Sequence, residues 1–175
     1  YAEKISNVST FIDDYIDLFP LTPFLLELFT SLTYFEKRGV IQFAMKEIKY
    51  LLHEPFPCFI TFERIYDLLA DNPNKRNLEE IHEIVKVIDI LHQKILLLEE
   101  KYRDDAVKIC KALAVYSLWD QKNTGATAEE LANNLMMISS NKILSSKDHV
   151  ELLIKKIREV TDGHYLKIIK EDGSD

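Results

Sequence analysis

Residues 145–173, SSKDHVELLIKKIREVTDGHYLKIIKEDG, decide how the chain is read. A serine precedes a run in which Val150, Leu153, Ile154 and Ile157 recur at helical spacing, so Ser145 or Ser146 caps a helix from about Lys147 to Thr161. Gly163 then separates that helix from His164-Tyr165-Leu166-Lys167-Ile168-Ile169-Lys170, which reads as a strand. Glu171-Asp172-Gly173 gives a turn, and the chain stops where a returning strand belongs.

The elements before this stretch complete the pattern. A helix from about Asp105 to Gln121 faces Ile109, Leu113, Tyr116 and Trp119 inward and ends at Asn123-Thr124-Gly125. Thr127-Ala128-Glu129-Glu130 is a capping box ahead of Leu131 and Leu135. Helix, helix, helix and hairpin is the order of a winged helix. The connection from Met137 to Ser146 is longer than the three or four residues of a usual helix-turn-helix. The unfinished hairpin, with Tyr1 rather than Met at the start, leads to the expectation of a piece of a larger protein.

Upstream, helical periodicity dominates. Ile5, Val8, Phe11 or Ile12, Tyr15 and Phe19 form a first amphipathic helix that Phe19-Pro20 ends. Thr22-Pro23 starts a helix over about Phe24 to Tyr34, with Leu25, Leu28, Phe29 and Leu32 on one face. Gly39 marks a break, and a third helix over about Val40 to His53 carries Ile41, Met45, Ile48 and Leu52. Pro55-Phe56-Pro57 is an extended crossing, after which Thr61 caps a short helix holding Ile65, Leu68 and Leu69, closed by Asn72-Pro73-Asn74. Asn77 with Glu80 reads as a capping box opening the longest helix, about Leu78 to Tyr102, where Ile81, Ile84, Val85, Ile88, Leu91 and Ile95 keep the period. Arg103-Asp104-Asp105 is a polar break. The chain therefore divides into a helical bundle over residues 1–102 and a winged-helix-like unit over residues 103–175.

Composition narrows the function classes. The net charge of −7 opposes binding driven by phosphate neutralisation, and acidic residues outnumber basic ones in each of the segments 1–76, 77–103 and 104–175. No run of eighteen apolar residues exists, so neither a membrane span nor a cleavable signal is expected. Cys58 and Cys110 lie in segments that read as core. Buried free thiols are preferred to a disulfide, and a cytoplasmic location follows from that preference.

Phosphate-binding loops and paired-cysteine zinc patterns are absent. Glu79-x-x-His82 and Asp89-x-x-His92 have di-iron spacing. Both lie on one helix, with the histidines about 80° out of line and on the order of 15 Å apart, so solvated polar residues are the preferred reading. No metal site and no catalytic residue is assigned. His53, His149 and His164 have no Ser or Cys partner in a recognisable nucleophile setting. The helix after Ser146 balances Lys147, Lys155, Lys156 and Arg158 against Asp148, Glu151, Glu159 and Asp162. Lys155, Lys156, Lys167 and Lys170 are the candidate DNA or partner contacts.

Phe19-Pro20-Leu21-Thr22-Pro23-Phe24-Leu25-Leu26, followed by Tyr34-Phe35-Glu36-Lys37-Arg38-Gly39-Val40-Ile41-Gln42-Phe43, resembles the helical lid that follows the nucleotide-binding core of large P-loop ATPases. The resemblance is to ATPases of bacteriophage-exclusion and related defence systems and, at greater distance, to the origin-recognition type. The crossing at residues 55–61 fits the same layout. The resemblance implies that Arg38 matches an arginine of the lid turn that senses the nucleotide's terminal phosphate. It also implies a parent protein that binds ATP and magnesium, with no cofactor held by this chain. The expected function is a non-catalytic regulatory or coupling segment of a large cytoplasmic ATPase, partnered by the rest of the parent chain and serving in phage defence. The alternative is a winged-helix adaptor that binds DNA or a protein with no nucleotide connection. A metal-dependent helical enzyme is the third and weakest reading.

Overall fold

The computed structural model describes residues 12–53, 59–119, 125–138 and 144–168. These residues are mainly helical. Residues 12–18 form α1. It is followed by α2 (Pro23–Ser31), α3 (Lys37–Leu51), α4 (Arg64–Ala70), α5 (Pro73–Arg76), α6 (Glu79–Ile95), α7 (Glu100–Trp119), α8 (Ala128–Asn134) and α9 (Ser146–Val160).

Several start signals act as the sequence suggests. Thr22 is the N-cap residue of α2, with Pro23 in its first turn, although the Thr22 hydroxyl makes no cap bond to the helix. The Thr22 backbone and hydroxyl also donate to the carbonyl of Ile60, and Ile60 N–H donates to Pro20 at 2.8 Å. An isolated parallel bridge between Leu21 and Ile60 thus pins the entry of α2 to the crossing ahead of α4. Thr127 accepts from Glu130 N–H while the Glu130 carboxylate accepts from Thr127 N–H, and Ser145 with Asp148 repeats the arrangement.

Other signals act differently. Gly39 does not break a helix; it lies in the first turn of α3, where backbone N–H groups have no helical partner anyway. The break comes earlier, at residues 32–36. Thr61 does not cap α4: Glu63 holds the N-cap position without a side-chain bond, and the Thr61 hydroxyl is buried without a partner. Asn77 and Glu80 form no capping box. Leu78 is the N-cap residue of α6, and the Glu80 carboxylate instead accepts from the Tyr34 hydroxyl at 2.6 Å. Asn72 both ends α4 and opens α5, its side-chain oxygen accepting from Asn74 and Lys75 N–H.

The long helix to Tyr102 is in fact two. Turn bonds from Leu97 to Lys94 and from Leu98 to Ile95 end α6, and α7 restarts at Glu100 and folds back against it. Three consecutive leucines hid the break, since Leu96-Leu97-Leu98 fits any helical phase. Only Leu98 turns inward, while Leu96 and Leu97 face solvent. Arg103-Asp104-Asp105 accordingly sits inside α7, where Arg103 donates to the Leu98 carbonyl at 2.9 Å and closes the hairpin.

One core cluster draws on α2, α4, α6, α7, α8 and α9, with Phe43 from α3. Phe24 and Phe62 meet Tyr116 at centroid distances of 5.7 and 5.4 Å, and Trp119 packs on Phe24 at 5.6 Å. Residues on both sides of position 103 thus share apolar packing. The buried His149 lies 2.8 Å from the Asp105 carboxylate and fastens the first turn of α9 to α7. Cys110 is a buried free thiol, its pKa pushed up to about 12 by burial, while Cys58 lies outside the described residues.

There is no strand among the described residues, so the expected strand from His164 is corrected over residues 164–168. The chain leaves α9 through a helix-stop motif in which Gly163 N–H reaches the Arg158 carbonyl at 2.8 Å, with Asp162 and Gly163 at positive φ. Tyr165 also has a positive φ, of 71°, and Leu166 N–H folds back to the His164 carbonyl. A backbone turned in this way cannot present a ladder edge. The remainder of the expected strand and its turn lie outside the described residues.

Candidate functional site

A groove of about 1160 Å³ opens where α1, the end of α3, the start of α4 and the turn after α8 meet. Ile12 and Ile16 form one lip, Tyr50 and Leu51 the next, and Met136 to Ile138 the far wall. That wall is built by an unusual stop to α8. Met137 N–H bonds the Ala132 carbonyl at 2.9 Å and Met136 N–H the Asn133 carbonyl at 3.2 Å, the pattern that favours glycine in the left-handed position. Met136 occupies that position at φ 50°, a conformation disfavoured for a residue with a side chain. Two methionines and Ile138 are delivered to the groove as a result.

The floor holds the group of most chemical interest. Glu63 is only 6% exposed, and its Oε2 is buried with no hydrogen-bond partner among the described residues. Its Oε1 lies 3.8 Å from Arg64 Nε, which also stands 3.8 Å from Glu47 of α3. The Arg64 guanidinium rests over the Tyr50 ring, 5.5 Å from its centroid. One arginine is therefore divided between two carboxylates and a ring, and it leaves Glu63 short of donors. Lys108 also lines the groove, but its ammonium donates to the Leu135 carbonyl at 2.7 Å. A buried carboxylate oxygen without a donor is costly, and a ligand bringing an N–H, O–H or cation would relieve it. No motif marked Glu63 in the sequence. The available signal was a charged pair, Glu63-Arg64, set between Phe62 and Ile65.

The residues singled out from the sequence lie elsewhere. Arg38 is exposed in the first turn of α3, its side chain makes no hydrogen bond or ion pair among the described residues, and it is not part of the groove. Lys155 and Lys167 are exposed. Lys156 is engaged, with its ammonium 3.7 Å from Glu99 and 4.6 Å from the Tyr102 ring centroid. Lys170 lies outside the described residues. His92 is half-buried with Nε2 unpartnered, and burial, helped by Lys111, holds its pKa below the usual 6.5. Near it Lys111 grips Asp67 at 2.6 Å, joining α7 to α4. Among the described residues no three His, Cys, Asp or Glu side chains gather to hold a metal ion, and no helix is long and apolar enough to cross a membrane.

Over residues 1–174 the chain matches a family model described as the DUF6079 second domain. No curated protein and no solved structure matches it.

Proposed function

This chain belongs to the DUF6079 second-domain family, and on that premise we propose that it is a non-catalytic coupling domain within a larger protein. The observation that carries the reading is the groove floored by Glu63. An apolar lining with one donor-hungry carboxylate suits the seating of a polypeptide segment from a neighbouring domain. A volume of 1160 Å³ exceeds what most small-molecule pockets offer. The family description supports the presence of a neighbour, since a second domain accompanies another.

The specific form of the proposal follows the resemblance of residues 19–26 and 34–43 to the lid of phage-exclusion ATPases. The neighbour is then a P-loop core that binds ATP and magnesium, and the setting is cytoplasmic phage defence. Arg38, exposed and unpaired at the start of α3, is free to meet a terminal phosphate. In this reading residues 1–102 act as the lid and residues 103–175 as the winged-helix-like unit, with α7, α8 and α9 as its three helices.

The full-length protein tests both levels. Hydrogen exchange at Phe59 to Arg64 should be slower there than in the isolated chain, and equal exchange would sink the coupling role. Arg38→Ala should cut ATP turnover on the order of 10³-fold. Unchanged turnover, or a parent that hydrolyses no ATP, removes the ATPase form and leaves the coupling role to stand on the exchange result. The winged-helix adaptor is the second reading, favoured by the exposure of Lys155 and Lys167. It calls for duplex affinity that falls steeply with salt.

A further inference from the structure

The outer face of α3 is an apolar seam that nothing among the described residues covers. Ile41, Met45, Ile48 and Leu52 are all exposed, spaced four, three and four residues apart, with Phe43 turned the other way into the core. That spacing is the seam of a coiled coil, narrower than the stripe a helix offers to a globular core. One edge of the seam is basic, since Lys46 follows Met45 and Lys49 follows Ile48, both exposed.

The complementary surface is on the same chain. On α1, Ile12, Ile16 and the adjoining Phe19 are exposed at spacings of four and three residues. The corresponding edge is acidic, since Asp13 follows Ile12 and Asp17 follows Ile16, and both are exposed. None of Asp13, Asp17, Lys46 and Lys49 makes an ion pair with a described residue of its own chain.

We propose that the occupant of the α3 seam is α1 of a second copy, and that the chain forms a two-fold dimer through two α1–α3 pairings. Antiparallel docking sets the aspartate edge of one helix against the lysine edge of the other, and a two-fold axis repeats the contact so that both seams close. Pairing α3 with its own copy would set lysine against lysine. An anionic membrane would meet the aspartates of α1 and a chain of net charge −7. Ile12, Ile16 and Phe19 also line the groove, so a partner helix and a segment seated there would share these side chains. The dimer stands whether or not the parent protein hydrolyses ATP.

Charge exchange tests it. Sedimentation of the wild-type chain across a concentration series should give a dimer that weakens in high salt. Lys46→Glu with Lys49→Glu should raise the dimer dissociation constant on the order of tenfold or more, as should Asp13→Lys with Asp17→Lys. Combining all four substitutions restores opposite charges across each pairing and should recover the dimer. That recovery also shows that the parent variants failed by repulsion and not by misfolding, and circular dichroism of each variant checks the helices. A wild-type chain that stays monomeric overturns the proposal. So does a dimer indifferent to the reversals, or a four-fold variant that does not recover.

Discussion

Two helices of this molecule carry nearly the same signal and meet opposite fates. α6 repeats Ile81, Val85, Ile88, Leu91 and Ile95, and all five are at most 4% exposed because α7 folds back over them. α3 repeats Ile41, Met45, Ile48 and Leu52, and these are 39–77% exposed. The difference lies in supply. The turn at Leu96–Glu99 returns a long helix onto α6, whereas α3 is held mainly through Phe43 on Phe29, at 5.1 Å, and through Glu47 with Arg64. Periodicity states which side of a helix seeks cover. Whether this chain or another molecule supplies the cover is decided elsewhere.

Truncating one apolar residue on each helix should give very different losses. Ile88→Ala should cost about 2–5 kcal/mol in urea unfolding, from lost transfer energy and the cavity left behind. Ile41→Ala should cost less than about 0.5 kcal/mol in dilute protein, where no second copy covers it. Equal losses would mean that α3 is buried within the chain after all.

A smaller contrast concerns the cations. Lys111→Met removes the 2.6 Å contact with Asp67 while keeping the stem, and should cost about 1–2 kcal/mol by thermal or urea unfolding. Lys49→Met on the open seam should change dilute-protein stability by less than about 0.5 kcal/mol.

Capping sharpens the same division. Thr127→Ala should destabilise by about 1 kcal/mol, since it removes one half of a reciprocal cap. At the start of α3, Glu36 makes no side-chain cap, so Glu36→Asp should leave stability unchanged or raise it by up to about 1 kcal/mol. A loss there would show a role for Glu36 beyond the helix end.

The smallest effect is a pH dependence seated on the buried face of α6. His92 has a folded pKa below 6.5, so its neutral form is favoured by folding. That contribution is complete above the unfolded value and is lost as pH falls through the folded one. The melting temperature should therefore drop between pH 7.5 and 5.5, and His92→Gln should flatten part of that drop. An unchanged slope in the variant would assign the dependence to other groups.

Much of the fold was legible because short-range chemistry writes it. The hydroxyl caps at Thr127 and Ser145 and the proline start at Pro23 act between residues no more than a few positions apart, so the sequence shows them directly. The α6–α7 turn was obscured because three leucines satisfy every phase. The capping box at Asn77 failed because Tyr34, distant in sequence, claims the Glu80 carboxylate. The groove was not legible at all. Its walls come from six separated segments, and the character of Glu63 arises from Arg64 being shared with Glu47 on another helix.

From the sequence alone came a mainly helical chain, its apolar faces, the caps at Thr127 and Ser145 and an acidic balance of charge, because each is a local or summed property of residue types. Tertiary structure alone decided which faces are covered, where the hairpin turns and which carboxylate is left without a donor. Those outcomes depend on which distant segments compete for the same partner, and such competition is settled only when the helices have packed.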